Sequence, residues 1–494
     1  MFPPHPGADR PTGGLSRPTS QFSRMTTGLA LFYVLWFLFV ILADGQSDKP
    51  TMRPVFSTRP FMVAWNAPTQ DCKPRFDVSL DLRLFDLSAT PIQGFTNQNL
   101  TMFYKERLGL YPYIDDHNVS FSGGVPQNAS LQAHLDRMPE GIRQYIRSTE
   151  KDGLAVIDWE EWRPIWVRNW KTKDIYRQVS RQLVASRHPS WPLDEVAKQA
   201  LYEFENSARE FMAMTLRYAK NERPRQLWGY YLFPDCYNHD YHTNWSSYTG
   251  KCPDVEMSRN DQLRWLWEES TALYPSIYLD PVLKSSSNGL KFVYYRVKEA
   301  MRIAYKHHQD YSLPVFAYSR PTYIKQLDLL SMMDLISTIG ESAAQGAAGT
   351  IFWGDAEYNK NKETCLKMKS YLDGDLGRYI VNVTTAASLC SETLCSRNGR
   401  CLRQENVTSA FLHLNSANFR IVQAPPESNV PLLAEGQLSQ EDIGLLRSQF
   451  RCQCYVGWYG NSCSNANINS AASTRSSSVY ALLWLSIVYI LLLL

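Results

Sequence analysis

GLAVIDWEEWRPIW, residues 153–166, sets an apolar run directly against a cluster of acids and indoles. Leu154 to Ile157 has the length and composition of a buried strand, since a short all-apolar run suits a strand covered on both faces. Asp158 and Glu160 follow at once, framed by Trp159, Trp162 and Trp166. Two readings are open: a strand that surfaces into an acidic loop, or one that delivers two carboxylates to a walled site. Side chains two apart on a strand share a face, with Cα atoms roughly 6–7 Å apart. Asp158 and Glu160 are then expected on one side and Trp159 on the other.

Further short apolar runs alternate with helical patterns. Asp194 to Lys220 repeats Leu201, Phe204, Ala208, Phe211 and Thr215 on one helical face. RPRQLWGYYLFP (223–234), ALYPSIYLDP (272–281), SLPVFAYSRP (312–321) and GAAGTIFWGD (346–355) read as strands, the last behind a helix-like stretch from Leu327 to Ala344. Such alternation argues for an α/β fold, either a (β/α) barrel or an open sheet. No G-x-G-x-x-G or Walker pattern follows a strand, which counts against nucleotide binding. Each strand candidate stops on a ring or an acid: Asp158 and Glu160, Tyr231, Tyr278, Tyr318, Trp353. In a barrel these ends converge on one mouth. An acid pair ringed by Tyr and Trp is the outline of a site that cleaves glycosidic bonds.

The ends of the chain speak about location. Gly28 to Ala43 is an apolar run behind Arg24, short for a membrane span, and reads as a signal peptide with an unusually long preceding region. Met25 is an alternative start. At the other end, small residues at Asn469, Ser470 and Ala471, a polar spacer to Ser478 and the apolar Val479 to Leu494 make up a GPI-attachment signal, with Asn469 as the attachment point. A spanning tail is the rival, opposed by the lack of basic residues after it. Six acceptors for N-glycosylation (Asn99, Asn118, Asn128, Asn244, Asn382, Asn406) fit the secretory pathway. The expected location is the cell surface, on the outer leaflet, with the lysosome as a second address. A net charge of only +3 means that an anionic partner must be held by a local patch, and no nucleic-acid partner is expected.

Ten cysteines, an even count, suit an oxidising compartment. Cys390, Cys395, Cys401, Cys452, Cys454 and Cys463 are spaced in a pattern that resembles an EGF-like module, with an unusually long insertion from Leu402 to Arg451. That resemblance implies the pairs Cys390–Cys401, Cys395–Cys452 and Cys454–Cys463. Cys72, Cys236, Cys252 and Cys365 remain and allow three connectivities. If Cys236 and Cys252 close their short loop, Cys72 and Cys365 tie the beginning of the large domain to its end.

AVIDWEEWRPIWVRNWKTKDIYR, LWGYYLFPDCYNHDY, NDQLRWLWEESTALYPSIY, STIGESAAQGAAG and the EGF-like tail, taken in order over residues 58 to 465, resemble the animal hyaluronidases. FWGDAEY, YLFPDCYNHDY and the terminal signal are most similar to the GPI-anchored branch of that family. The resemblance implies an α/β fold, a distorted (β/α) TIM-like barrel with a C-terminal disulfide-rich EGF-like module. The expected divisions are 1–45 for the extension and signal peptide, 46–385 for the barrel, 386–465 for the module with its insertion, and 466–494 for spacer and GPI signal. It further implies an endo-β-N-acetylglucosaminidase acting on hyaluronan, a polyanionic glycosaminoglycan, and more slowly on chondroitin, with no cofactor and no metal.

By motif match Glu160 is expected as general acid/base, Asp158 as its partner that stabilises the reacting acetamido group, and Tyr231 as the residue that positions it. Tyr104, Asp235, Tyr278, Arg296, Tyr318 and Trp353 are expected to bind substrate, Arg296 by pairing with a glucuronate. Close carboxylates cannot easily both ionise, so one pKa of the pair should rise. The raised value is expected on Glu160, leaving it protonated and able to donate. His239 and His242 have metal-compatible spacing without a metalloprotease frame and read as structural. Asp355 and Glu357 read as loop charges. A different class stays open: a GPI-anchored receptor that binds hyaluronan or a protein with little or no hydrolysis.

Overall fold

The computed structural model describes residues 49–466, apart from 57, 90–97, 406 and 408. The signal peptide, the GPI segment with Asn469, and Asn406 therefore lie outside the described residues. The barrel strands are β1 (Met62–Asn66), β2 (Leu87–Ser88), β3 (Leu100–Tyr104), β4 (Gly153–Asp158), β5 (Gln226–Tyr230), β6 (Phe316–Ser319) and β7 (Gly349–Trp353). They form two parallel ladders, β3-β4-β5 and β2-β1-β7-β6.

ALYPSIYLDP, expected as a full strand, joins these ladders only through single bridges: Tyr231 with Tyr274, Leu273 with Val315 and Ser276 with Tyr318. Pro275 is the reason. It has no N–H to give, while its carbonyl accepts from Tyr318 N at 2.8 Å. The barrel is distorted here. Gly229, on the neighbouring β5, is required by the close approach. A Cβ there would sit 2.3 Å from the Ala272 carbonyl oxygen and 3.0 Å from the Tyr274 ring.

Strand alternation sorts the side chains into two cores. Met62, Ala64, Leu100, Met102, Leu154, Val156, Leu227, Phe316 and Ile351 fill the inside of the barrel. Val63, Trp65, Phe103, Ala155, Ile157, Trp228 and Phe352 face outward beneath the helices. Those helices are α1 (Leu131–Tyr145), α2 (Asp174–Arg187), α3 (Leu193–Glu222), α4 (Ser287–His307), α5 (Lys362–Asp373) and α6 (Asp375–Cys395). The helix expected from Leu327 starts later, at Met332, because Ser331 caps it by accepting from Asp334 N. It continues through a π segment, Ile336–Gly340, to Ala344.

The C-terminal part contains β8 (Gly399–Arg403), β9 (Phe419–Gln423), β10 (Leu432–Gly436), α7 (Gln440–Gln449) and β11 (Phe450–Cys454). The long insertion is thus an ordered hairpin, β9-β10, and a helix, closed off by β8 pairing antiparallel with β11. The boundary expected at 385/386 meets a continuous element. It falls inside α6, which carries Cys390 and Cys395 on the same continuous helix.

The physical reason is a common core: Cys401, Leu412, Leu414, Phe419 and Leu432 pack in the same apolar cluster as the barrel's helical layer. A buried ion pair reinforces the junction. Arg403 donates to both carboxylate oxygens of Glu341, at 3.0 and 2.5 Å, and to the Ala410 carbonyl. Both side chains are almost wholly buried, and two charges taken from water persist only when so fully satisfied.

The disulfides join Cys72–Cys365, Cys236–Cys252, Cys390–Cys401, Cys395–Cys452 and Cys454–Cys463. Among the acceptor asparagines, Asn99, Asn118, Asn128 and Asn244 are exposed. Asn382 is half-buried in α6, and its Oδ1 accepts from Leu414 N at 3.1 Å.

Candidate active site at the mouth of the barrel

The inward row of β4 runs Leu154, Val156, Asp158, so the period that buries the first two delivers the third to the barrel mouth. Tyr104 lies beside Asp158 in the ladder. Tyr231 follows β5, and Trp353 ends β7. Tyr104, Tyr231, Tyr278 and Trp353 pack, partly buried, on top of the inner core. Tyr278 and Trp353 stack at 6.1 Å, Tyr231 lies 6.1 Å from Tyr278, and Trp353 Nε1 donates to the Tyr104 hydroxyl at 3.5 Å. Arg320 reinforces this wall from the far side. Its guanidinium sits 5.1 Å from the Trp353 ring and pairs with Asp355 at 2.6 Å. Asp355, which reads in the sequence as a loop charge, therefore serves the aromatic wall through Arg320.

The two acids occupy different environments. Asp158 keeps some exposed surface as a residue, but its Oδ1 is sealed from solvent and, among the described residues, has no hydrogen-bond partner. Burial, followed by the charges of Glu160 and Glu161, pushes its pKa up to about 8. The upward shift expected on Glu160 thus falls on Asp158, because Asp158 is the member that loses water. Glu160 lies past the strand end, with its side chain 48% exposed. Its Oε2 pairs with Arg163 at 3.3 Å. Its main-chain carbonyl accepts from Arg163 at 2.8 Å and from the Lys173 ammonium. Glu161 is held by Lys105 at 2.9 Å. A cavity of about 480 Å³ opens beside Glu160, bordered by Lys105, Asn118, Glu161, Lys173 and Tyr176. Trp159 points outward as its parity requires, stacking on Tyr111 at 4.4 Å.

Tyr231 is the third member. Its hydroxyl interacts with Ser276 and Tyr278, and burial, with Glu160 next, raises its pKa well above the usual phenol range. It stays a neutral donor at acid and neutral pH.

Three residues expected to contact substrate are held in internal networks. Arg296 is buried, and its guanidinium is consumed internally: by Asn238 Oδ1 at 2.9 Å, the Ser276 carbonyl at 3.0 Å, His239 Nε2 at 3.0 Å and Asp235 at 3.3 Å. Each of its three nitrogens thus has an internal partner. Asp235 is the counter-charge of Arg296 and, at 3.7 Å, of Arg168. Tyr318 has no exposed surface. It donates to Met102 Sδ at 3.0 Å and backs the Tyr231 ring edge-on at 5.2 Å, beneath the aromatic wall. His239 is bound to Arg296, and burial followed by that charge holds its pKa down to about 4. His242 faces Asp280 instead, at 3.7 Å.

Sequence reasoning misses Arg163, Lys173, Lys105 and Arg320. The signal for Arg163 was present, three residues past Glu160 in EEWRP. Lys173 and Arg320 carry no such mark and reach the site only through folding.

A parallel barrel whose mouth carries a carboxylate pair inside a tyrosine and tryptophan wall has the construction of a glycoside hydrolase. The sequence profile of the hyaluronidase family matches residues 50–467, and the chain belongs to that family. It is 57% identical over 452 residues to hyaluronidase-2 of Mus musculus, covering 92% of this chain and 95% of that protein. It is 58% identical over 415 residues to hyaluronidase-2 of Homo sapiens, covering 84% and 88%. Among solved structures, bee venom hyaluronidase in complex with a hyaluronic acid tetramer matches with a TM-score of 0.55 and 31% identity, over 65% of this chain and 98% of that one. The protein is a hyaluronidase-type glycoside hydrolase.

Proposed function

We propose that this enzyme cuts the β-1,4 bond between N-acetylglucosamine and glucuronate in hyaluronan, with retention of configuration, using the substrate's own acetamido oxygen as nucleophile. Chondroitin, whose hexosamine carries the same acetamide, is the slower substrate. The observation that carries the reading is the sealed Asp158 carboxyl, which holds a proton near neutral pH beside the half-exposed Glu160. Asp158 and Glu160 come from one strand end, on one side of the cleaved bond. Neither is then placed to attack the anomeric carbon from the opposite face, as an enzymic nucleophile must.

On substrate arrival the acetamide N–H donates to Asp158, whose proton passes to Glu160. Glu160 gives that proton to the leaving oxygen as the C1–O4 bond breaks and the acetamido oxygen bonds to C1. Asp158, now an anion, stabilises the positive oxazolinium, and Tyr231 holds the acetamide in line. Water then attacks C1, losing its proton to Glu160, and the ring opens to restore the acetamide. Two inversions give net retention.

The test is chemical. Hyaluronan stripped of its N-acetyl groups should still bind but resist cleavage, and NMR should show the first-formed reducing end as β. Brisk cutting of the stripped polymer, or an α product, would overturn the mechanism while sparing the hydrolase class.

The cell surface is the proposed place of action, through a GPI lipid on the outer leaflet. Support comes from the small-residue triplet at 469–471, the polar spacer and the apolar run Val479 to Leu494. Phosphatidylinositol-specific phospholipase C should release the protein from intact cells. Full retention, with a known GPI protein released alongside, would favour a spanning tail.

A further inference from the structure

Lys173 closes a short turn, Lys171–Lys173, immediately before α2. Its ammonium donates to the main-chain carbonyls of Glu160 and, at 3.2 Å, Glu161. Among the described residues no carboxylate lies within ion-pair distance of it. Its neighbours differ: Arg163 has Glu160, Arg168 has Glu256 at 2.9 Å, and Arg259 has Glu256 at 2.5 Å. Burial and the charge of Arg163 hold the Lys173 pKa down to about 8, as befits a cation short of counter-charge.

Lys173 also stands between two spaces. On one side is the cavity that contains Glu160. On the other is a second cavity of about 180 Å³, bordered by Arg163, Arg168, Trp170, Phe233 and Tyr237. Trp170 is 40% exposed and lies 5.2 Å from the Tyr237 ring, an apolar platform of the kind a sugar face covers.

The chemistry of the polymer connects these observations. The leaving oxygen in the proposed reaction is O4 of a glucuronate, and the carboxylate of that sugar is attached to C5, the adjacent ring carbon. Any acid that protonates O4 therefore has this carboxylate close by. Among the described residues two cations touch Glu160: Arg163, already paired with its carboxylate, and Lys173, bound to main-chain carbonyls.

We propose that the Lys173 ammonium receives the carboxylate of the acidic sugar on the leaving-group side of the cleaved bond, with that sugar seated against Trp170 in the smaller cavity. The inference rests on the hyaluronan reading above and deepens it. Lys173 sets the preference for an acidic over a neutral sugar at that position. It takes the place expected of Arg296, each of whose three nitrogens already has an internal partner, as the anchor for glucuronate.

Lys173 also steadies the Glu160 main chain, so the test must separate the two roles. Hyaluronan whose glucuronates are reduced to glucose supplies a neutral polymer of the same linkage. Wild-type kcat/KM should favour native over reduced polymer by about tenfold. Lys173→Met should erase the preference, losing about tenfold more on native hyaluronan than on the reduced polymer, where only the clamp on the Glu160 main chain is lost. Lys173→Arg should keep most of it. An equal loss on both polymers would reduce Lys173 to a backbone clamp, and an undiminished preference in Lys173→Met would equally overturn the proposal. A wild-type enzyme that cuts neither polymer would instead bring down the hyaluronan reading itself.

Discussion

Glu160→Gln lowers kcat on hyaluronan by about three orders of magnitude or more, while affinity for the polymer changes little. The amide keeps the shape of the side chain but has no proton of the right acidity to give a leaving oxygen, and it cannot later accept one from water. Because Glu160 is half exposed and its ion pair with Arg163 faces solvent, the fold should tolerate the exchange, since exposed pairs contribute little to stability. Turnover by chain-length assay, binding to immobilised hyaluronan and thermal unfolding make the comparison. Near-normal turnover in a folded variant would remove Glu160 from the reaction and favour the receptor reading.

Asp158→Asn is expected to cost about 100-fold to 1000-fold in kcat, because a neutral amide cannot offset the positive charge of the oxazolinium. The same change should stabilise the fold. The pKa of Asp158 rises from its ordinary 3.8 to about 8 on folding. The native state therefore holds a proton that the unfolded chain has released. The stability contributed by that proton is fully present below about pH 4 and is lost as pH rises through about 8. Asn never ionises, so the variant escapes this loss, which is about 2–4 kcal/mol at alkaline pH after allowance for relaxation around a buried charge. Thermal unfolding should show parent and variant close together at pH 5 and the variant higher by several degrees at pH 8.5. A variant less stable at pH 8.5 than at pH 5, relative to its parent, would contradict the buried-proton account.

These expectations pull in opposite directions at one position, and that opposition is informative. A carboxyl that lowers stability at working pH is retained where charge is needed in the reaction. Arg296 is the contrasting case, a buried charge satisfied by Asn238, Ser276, His239 and Asp235. Its place in a glycan-binding chain suggests a substrate contact, but its partners show a strut.

The difference between the two arises from what each kind of signal contains. The position of Asp158 was legible in the sequence because strand alternation is local: Leu154, Val156 and Asp158 share a face wherever that strand lies. The same holds for Trp159 outside, for Tyr231 just past β5 and for Trp353 at the end of β7. The disulfide-rich tail was legible through cysteine spacing. The irregularity at Pro275 could also have been read, since a missing N–H is a property of the residue itself.

By itself, then, the sequence determined which side chains point into a barrel, which acids stand at its mouth, and which compartment suits the cysteines. Only the tertiary structure decided how charge is distributed among them. Desolvation and ion pairing depend on what other segments bring to within a few ångströms, so the raised pKa went to Asp158 rather than Glu160. For the same reason Arg296 turned inward to Asp235, and Lys173 stands beside Glu160 with no carboxylate in ion-pair reach among the described residues. The module boundary followed the same logic, since Glu341 and Arg403 are 62 residues apart and meet only when the tail folds onto the barrel. Periodicity is written along the chain, whereas burial is settled by its neighbours in space.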